Sequence, residues 1–182
     1  MKVCFDVNTL IYLFAGAPEQ ADVFFAYDVT NIRKFDACIP ACALPTIHYI
    51  LRRGGLKGEE LDGVMQNVFE MFDVFDVIEQ DGKSALYNSM GDYEDALIAE
   101  SAARNGVDLI LTYNEKDFID SPVKAMLPVQ FIEAFKPASV EYAEMNQSEI
   151  LKLYGIAKNG ELFERPDQGD LSLDDDPSTF FD

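Results

Sequence analysis

Apolar positions along the chain fall into two patterns, short continuous runs and longer stretches in which apolar residues recur every three or four positions. The short runs predict five strands, at residues 3–5, 37–39, 74–78, 109–111 and 123–126. The longer stretches predict seven helices, at residues 8–14, 19–33, 44–53, 59–72, 81–90, 94–105 and 129–135. Pro18 is expected to break the chain after the first helix, Pro40 to stop the second strand, and Pro128 to open the last helix.

Strands and helices alternate through most of the chain, and that order predicts an α/β fold. Parallel strands need helical crossovers on both faces, so we expect a three-layer α/β/α domain with a central parallel sheet of about five strands. This domain should span residues 1–136. Residues 137–182 form an acidic C-terminal extension, with one helix predicted at 141–154 and a flexible polar segment at 159–182.

The composition indicates in which cellular compartment the protein acts and which kinds of partner it can have. The chain is 48% hydrophobic, but no apolar run is long enough to cross a bilayer, and Asp6 interrupts what would be the apolar part of a signal peptide. We therefore expect a cytoplasmic protein with no membrane partner. The three cysteines and one histidine lack zinc-site spacing, so the cysteines are expected to be reduced thiols, with Cys4 in the core.

The charge is strongly negative, at −19 from 14 basic and 33 acidic residues. Residues 1–136 alone carry 11 basic and 22 acidic side chains. Such a balance favours divalent cations or a basic partner, and it is unusual for a protein that binds nucleic acid, because phosphate contacts need Lys and Arg. Binding to RNA would have to use local basic pairs such as Arg33–Lys34 and Arg52–Arg53.

Four aspartates follow strands or open a helix. Asp6 ends the first strand, Asp117 follows the fourth strand and Thr112, and Asp92 and Asp95 begin a long helix three residues apart. Sites of open parallel sheets lie beyond the carboxyl ends of the strands, so Asp6, Asp95 and Asp117 can meet at one edge if the first and fourth strands are neighbours. A divalent cation relieves their repulsion, and Mg²⁺ and Mn²⁺ prefer carboxylate and water oxygens.

Three stretches resemble the PIN-domain family, and in particular its VapC-like toxins. They are VCFDVNTL at 3–10, DYEDALIA at 92–99 and LILTYNEKDF at 109–118. The resemblance implies a metal-dependent endoribonuclease that hydrolyses RNA phosphodiester bonds, the toxin of a toxin–antitoxin pair, with a cognate antitoxin protein and a homodimeric state. It implies Mg²⁺ or Mn²⁺ bound by the catalytic residues Asp6, Asp95 and Asp117, with Asp92 as a further ligand or a helix cap. The residues that would orient ligands or water are Asn8, Thr46, Thr112 and Asn114.

One position departs from the family pattern. The helix after the second strand usually carries a Glu, and Thr46 stands there instead. Either Asp92 compensates, or one metal is held loosely, or activity is lost and the chain is a PIN-fold binding or regulatory module. Arg52 and Arg53, at the end of the same helix, are candidate RNA contacts or solvated charges.

Other interpretations remain open at this level. Asp6 and Asp92 can be helix caps, and Glu94 and Asp95 can be acids placed for the helix dipole. A phosphatase of the haloacid dehalogenase type also begins with an Asp after a strand, but it needs a second Asp two residues on, where this chain has Asn8.

Overall fold

The five short apolar segments form one parallel sheet. In the computed structural model, which describes residues 1–15 and 20–141, the strands are β1 (Lys2–Phe5), β2 (Asp36–Pro40), β3 (Asp73–Phe75), β4 (Leu109–Leu111) and β5 (Ala125–Met126). Their order is β3-β2-β1-β4-β5, and each neighbouring pair is parallel. The predicted five-stranded parallel sheet is confirmed, with β1 at its centre.

Helices connect the strands and cover the sheet in an α/β/α arrangement, as expected. They are α1 (Val7–Ala15), α2 (Gln20–Arg33), α3 (Ala43–Arg53), α4 (Glu59–Met71), α5 (Glu79–Tyr87), α6 (Tyr93–Arg104) and α7 (Pro128–Phe135). A single 3₁₀ turn at Glu115–Phe118, which the apolar pattern did not predict, follows β4. Because helices pack on both faces, β1 and β4 are buried along almost their whole length.

Two elements end three residues earlier than predicted. After β3, the carbonyl of Asp76 accepts hydrogen bonds from Arg104 Nη2 at 2.8 Å and Asn105 Nδ2 at 3.2 Å, so it is not available to a sheet ladder. After α5, Asn88 leaves the helical conformation, and its side chain donates to Glu100 Oε1 at 2.6 Å. In both places a contact with α6 and its end replaces the regular backbone pairing.

The end of β2 agrees with the prediction to within one residue. Pro40, which was expected to stop the strand after Ile39, is itself the last residue of β2 and lies opposite Phe75. The end of a strand tolerates proline because only one backbone donor is lost there. The other predicted boundaries agree with the structure to within two residues.

The core joins β1 to the helices through aromatic side chains. The ring of Phe5 on β1 lies 6.4 Å from Tyr27 of α2 and 5.1 Å from Phe72 at the end of α4. Phe5 is fully buried, and burying a side chain of that size contributes about 1.5–3 kcal/mol. The end of β1, and with it Asp6, is therefore fixed by the packing beneath it.

An ion pair fixes α5 against α6. The Asp81 carboxylate, only 3% exposed, accepts from Arg104 Nε at 2.7 Å and Nη2 at 2.9 Å. It also accepts from the backbone N–H of Ile78 at 2.9 Å, at the start of α5. The Arg104 hydrogen bonds lower the pKa of Asp81, so the pair stays ionised and holds α6 in place.

Cys4 and Cys38 are buried free thiols, and Cys42 is a partly buried one. Within the described ranges, no helix has the length and apolar content that a bilayer crossing requires. The predicted break at Pro18, the helix predicted at 141–154 (Glu141 excepted) and the segment at 159–182 lie outside the described residues.

Candidate metal centre

The site forms where the two central strands end. Phe5 of β1 is paired with Leu111 of β4, and the next backbone N–H, that of Asp6, donates to the Leu111 carbonyl at 3.0 Å. This register places Asp6 beside Thr112 at the carboxyl edge of the sheet. The strand-end argument from the sequence predicted such a meeting, since neighbouring parallel strands end at the same edge.

Both carboxylate oxygens of Asp6 accept hydrogen bonds, although the residue is only 2% exposed. Oδ2 accepts from the Thr112 hydroxyl at 2.8 Å, and Oδ1 accepts from the backbone N–H of Val7 at 2.6 Å. The contact with Val7 gives Asp6 a share in starting α1. The contact with Thr112 comes from another strand and has no capping role.

The Thr112 hydroxyl uses all of its hydrogen-bonding capacity. It donates to Asp6, and it accepts from Asn8 Nδ2 at 3.1 Å and from the backbone N–H of Asn114 at 3.0 Å. Asn8 is held in turn, because its Oδ1 accepts from the Tyr113 N–H at 3.2 Å. These contacts bring together three of the residues predicted to orient ligands, and they fix the rotamer of Asp6.

Asp95 and Asp117 lie near Asp6 on two other elements. Asp95 is half-buried in the first turn of α6, and Asp117 is exposed in the 3₁₀ turn, with its backbone N–H on the Asn114 carbonyl at 2.9 Å. Burial is the main cause that raises the pKa of Asp95 to about 7, and the charges of Asp6, Asp92, Asp117 and Glu94 raise it further. The predicted trio therefore shares one electrostatic environment.

Asp6 responds to the same charges. Burial raises its pKa to about 6, against the lowering effect of the hydrogen bonds from Thr112 and Val7, and the charges of Glu94 and Asp117 add to the increase. The ionised form of a buried carboxyl group with negative neighbours is strongly stabilised when a cation binds beside it. This is the electrostatic condition for binding a metal.

The two other acids at the start of α6 have separate roles. Asp92 is the N-cap, and its Oδ1 accepts from the backbone N–H groups of Glu94 at 2.7 Å and Asp95 at 3.1 Å. Burial and the charge of Asp92 raise the pKa of Glu94, which the sequence suggested to be an acid placed for the helix dipole, and the side chain of Thr46 on α3 opposes that increase. Glu94 is the residue that sequence reasoning missed, and its only signal was its place between the two aspartates.

The donor set suits a hard divalent ion. Among the described residues, no group of three or more His, Cys, Asp or Glu side chains is already arranged to hold an ion directly. Mg²⁺, however, binds through one or two carboxylates and keeps several waters. The acids are all oxygen donors, and the nearby Cys42 is no competitor, since burial raises its thiol pKa to about 11. The residues therefore fit Mg²⁺ or Mn²⁺ bound partly through water.

The structure separates the two candidate arginines. Arg52 lines a cavity of about 460 Å³ between α3 and α4, together with His48 and Lys57. Arg53 Nη1 donates to the Tyr49 hydroxyl at 3.4 Å. Positions 46, 49 and 53 share one face of α3, because they are three and four residues apart. Arg53, and not Arg52, thus continues the face that carries Thr46.

Comparison with known proteins agrees with the resemblance to the PIN-domain family that the sequence suggested. The family model described as PIN domain matches residues 2–116. None of the curated protein sequences matches the chain. The chain is similar in structure to VapBC2 from Rickettsia felis bound to a promoter DNA fragment, with 15% identity, a TM-score of 0.56, and coverage of 70% of this chain and 98% of that chain.

Two further solved structures resemble it. One is a toxin–antitoxin complex from Klebsiella pneumoniae, with 16% identity, a TM-score of 0.51, and coverage of 69% of this chain and 97% of that one. The other is FitAB bound to an IR36 DNA fragment, with 15% identity, a TM-score of 0.54, and coverage of 78% and 99%. At these identities the likeness concerns the fold.

Proposed function

The chain belongs to the PIN domain family, and on that premise we propose that it is a Mg²⁺- or Mn²⁺-dependent endoribonuclease, the toxin of a toxin–antitoxin pair. The family is one of nucleases that generally depend on divalent metal. One of the structurally similar proteins is a toxin–antitoxin complex by its own description, and another is VapBC2 bound to promoter DNA. An acidic chain is also suited to a partner with a basic segment.

One observation carries the proposal. Asp6 is buried at the centre of the sheet edge, both of its oxygens are fixed by hydrogen bonds, and it shares its field with Asp95 and Asp117. A buried carboxylate in acidic company destabilises the fold unless something relieves the charge. Carboxyl groups with shifted pKa values of this kind cluster at functional sites.

The residues of the chain divide the work as follows. Asp6, Asp95 and Asp117 would hold the ion, which when bound supplies Lewis acidity and a water of lowered pKa for attack on phosphorus. Thr112 and Asn8 keep the Asp6 carboxylate in one orientation. Residues that orient a metal ligand in this way contribute substantially to metal affinity and activity.

RNA would bind along the face of α3 that carries positions 46, 49 and 53. Arg53 can meet a backbone phosphate, and the neighbouring Tyr49, 55% exposed, can stack on a base. We expect Arg53→Ala to weaken RNA binding and to reduce its salt slope by about one, as loss of one phosphate contact does. Arg52→Ala, on a different face of the same helix, is the matched control, and an equal effect of both would contradict this path.

Several further features belong to the same proposal. Residues 1–136 form the nuclease domain, residues 137–182 are an acidic extension, and the protein acts in the cytoplasm as a homodimer with a cognate antitoxin. A second candidate function has one observation in its favour: Thr46 occupies the position of an acidic ligand. On that basis the chain would be a PIN-fold binding or regulatory module without catalysis.

An RNA cleavage assay with the purified protein distinguishes the ribonuclease from the non-catalytic binding module. Wild type with Mn²⁺ should cleave single-stranded RNA, EDTA should stop it, and Asp6→Asn should reduce the rate by about 100-fold, at the upper end of the range for changes around metal ligands. Glu133→Gln, which removes an exposed acid on α7, should leave the rate unchanged. Metal binding without cleavage would favour the binding module, and cleavage that survives Asp6→Asn would overturn the assigned site.

A further inference from the structure

An open cavity lies beside β5, at one edge of the sheet. β5 is the last strand in the sheet order, and in the part of the chain that the structure describes it pairs with β4 alone. The cavity has a volume of about 460 Å³, within the range that a small ligand fills. Its lining comes from the 3₁₀ turn and from the chain that enters β5, and it includes Glu115, Lys116, Phe118, Ile119, Val123 and Lys124.

The lining of this cavity is apolar and carries a net positive charge. Ile119 is 78% exposed, so most of its side chain is still available to be buried by an occupant. Lys116 and Lys124 are exposed, and neither forms an ion pair with another described residue. Glu115 is the only acid among the lining residues. The cavity therefore fits an occupant that combines apolar side chains with negative charge.

The chain itself contains a segment of this chemistry at residues 171–182. The segment reads LSLDDDPSTFFD, and it combines two leucines and two phenylalanines with four aspartates. Residues 166–182 as a whole carry six acids and no Lys or Arg. The charge of this acidic–aromatic segment is thus complementary to that of the two lysines at the cavity.

The acidic–aromatic segment can reach the cavity. The described residues end at Glu141, and Phe180 is 39 residues farther along the chain (180 − 141). An extended chain of that length spans roughly 130–140 Å, whereas a domain of this size has a radius of gyration of about 14 Å. Covalent attachment also raises the effective concentration of a ligand, so that even a weak contact is populated.

The cavity between α3 and α4 is a poorer fit for the same segment. It also has a volume of about 460 Å³, and it is lined by basic residues that include Arg52 and Lys57. Its only apolar side chain, however, is that of Leu61, which is already buried. Phenylalanines would gain little there, so this second cavity serves as a control.

We propose that the acidic–aromatic segment docks in the cavity beside β5, with its phenylalanines against Ile119 and its aspartates towards Lys116 and Lys124. The 3₁₀ turn that lines the cavity also carries Asp117, so the docked segment holds the turn that contributes to the acidic edge. Docking needs neither metal nor RNA, and it can therefore be tested independently of the proposed function.

Fluorescence of the full-length protein tests the apolar contact. The chain contains no tryptophan, so Phe181→Trp introduces a single indole in the segment. In EDTA its emission should lie at shorter wavelength, and acrylamide should quench it less, than in urea. Ile119→Ser in this background should lower the docked-to-free ratio by about 10-fold, as expected when one aliphatic side chain is no longer buried. Leu86→Ser, at a 65% exposed leucine of α5, is the matched control and should change neither signal.

Charge reversal tests the contact with the lysines in the same background. Lys116→Glu combined with Lys124→Glu should lower the docked-to-free ratio by about 10-fold, because two weak surface attractions become repulsions. Replacing all three aspartates at 174–176 by lysine in that variant should restore most of the docking. Lys57→Glu, in the cavity between α3 and α4, should have no effect.

Hydrogen exchange reports on the 3₁₀ turn without any tryptophan. The backbone N–H groups of Asp117 and Ser121 both donate to carbonyls of the turn region. Phe180→Ser combined with Phe181→Ser should speed their exchange by up to the docked-to-free ratio, because only undocked molecules would open there. The N–H of Phe131 in α7 should exchange at an unchanged rate.

Four outcomes would overturn the proposal. The first is an indole at position 181 that is as solvated in the native protein as in urea. The second is an equal effect of Ile119→Ser and Leu86→Ser. The third is a loss of docking on Lys57→Glu but not on reversal of Lys116 and Lys124, which would place the segment in the other cavity. The fourth is a signal that grows with protein concentration, which would make a second copy of the chain the source of the segment.

Discussion

Replacing Asp6 by asparagine removes one charge from the centre of the acidic edge, and without metal this change should stabilise the protein. The folded pKa of Asp6 is about 6 against an ordinary value of 3.8. A raised pKa means that ionisation opposes folding. The stability contributed by protonated Asp6 is complete below about pH 4 and is lost as the pH rises through 6. At pH 8 the wild type carries the full cost, about 3 kcal/mol.

Replacement by asparagine does not recover the whole free-energy cost of the buried charge. Both oxygens of Asp6 accept hydrogen bonds, from the Val7 N–H and the Thr112 hydroxyl. An amide offers only one oxygen, so one of these donors loses its acceptor at a cost of about 1–2 kcal/mol. The net gain at pH 8 should be about 1–2 kcal/mol. At pH 4 the wild-type carboxyl is protonated, and the gain should disappear or reverse.

Urea unfolding in EDTA at pH 4, 6 and 8 measures the effect, and thermal unfolding should show a shift of about 2–4 °C per kcal/mol. Glu133→Gln, also one charge fewer, should change the stability by no more than about 0.5 kcal/mol at every pH, as expected for a surface site. Should Asp6→Asn lower the stability equally at pH 4 and pH 8, Asp6 would be a structural cap, and the argument from clustered charge would be refuted.

Three further outcomes follow from the same structure. Mn²⁺ at 100 times its Kd should stabilise the wild type by about 2.7 kcal/mol, and an unchanged melting temperature would exclude a metal site. Asp92→Ala should destabilise the protein by about 0.5–2 kcal/mol through loss of the α6 cap, and urea titration would detect it; a neutral result would mean the cap is dispensable. Sedimentation velocity should find a homodimer, because α4 presents Phe69, 57% exposed, beside its buried stripe, and a monomer at all concentrations would contradict this.

The sequence predicted the elements because most of them follow local patterns. Leu61, Val64 and Val68 recur at helical spacing and are buried in α4, and the continuous apolar run of β4 is buried throughout. The ends of β3 and α5 were placed too late because long-range contacts decide them. The Asp76 carbonyl is taken by Arg104, 28 residues away, and Asn88 bonds Glu100. Periodicity carries no information about such partners.

The candidate site also contains residues that the sequence predicted and one that it did not. Asp6 and Thr112 were expected at one edge because each directly follows a strand of a parallel sheet, and the register of β1 on β4 brings them together. Glu94 was not expected to differ from its neighbours. Asp92, Glu94 and Asp95 all look like helix-start residues in the sequence, and only the fold shows that the charge of Glu94 raises the pKa of Asp6.

The acidic charge of the chain bears on how such a site would meet RNA. Bound divalent cations would neutralise the acids of the proposed site, but the remaining acidic surface still repels phosphate. Salt then acts in two opposite ways: it screens the long-range repulsion, and it weakens local phosphate contacts such as one through Arg53. The two effects offset each other, so RNA affinity should depend on salt far less steeply than in basic nucleases.

An acidic surface of this kind also slows encounter with RNA while favouring a basic partner, since complementary charge raises association rates. The acidic charge, which is unusual for a protein that binds nucleic acid, thus fits the proposed toxin if its antitoxin presents a basic segment.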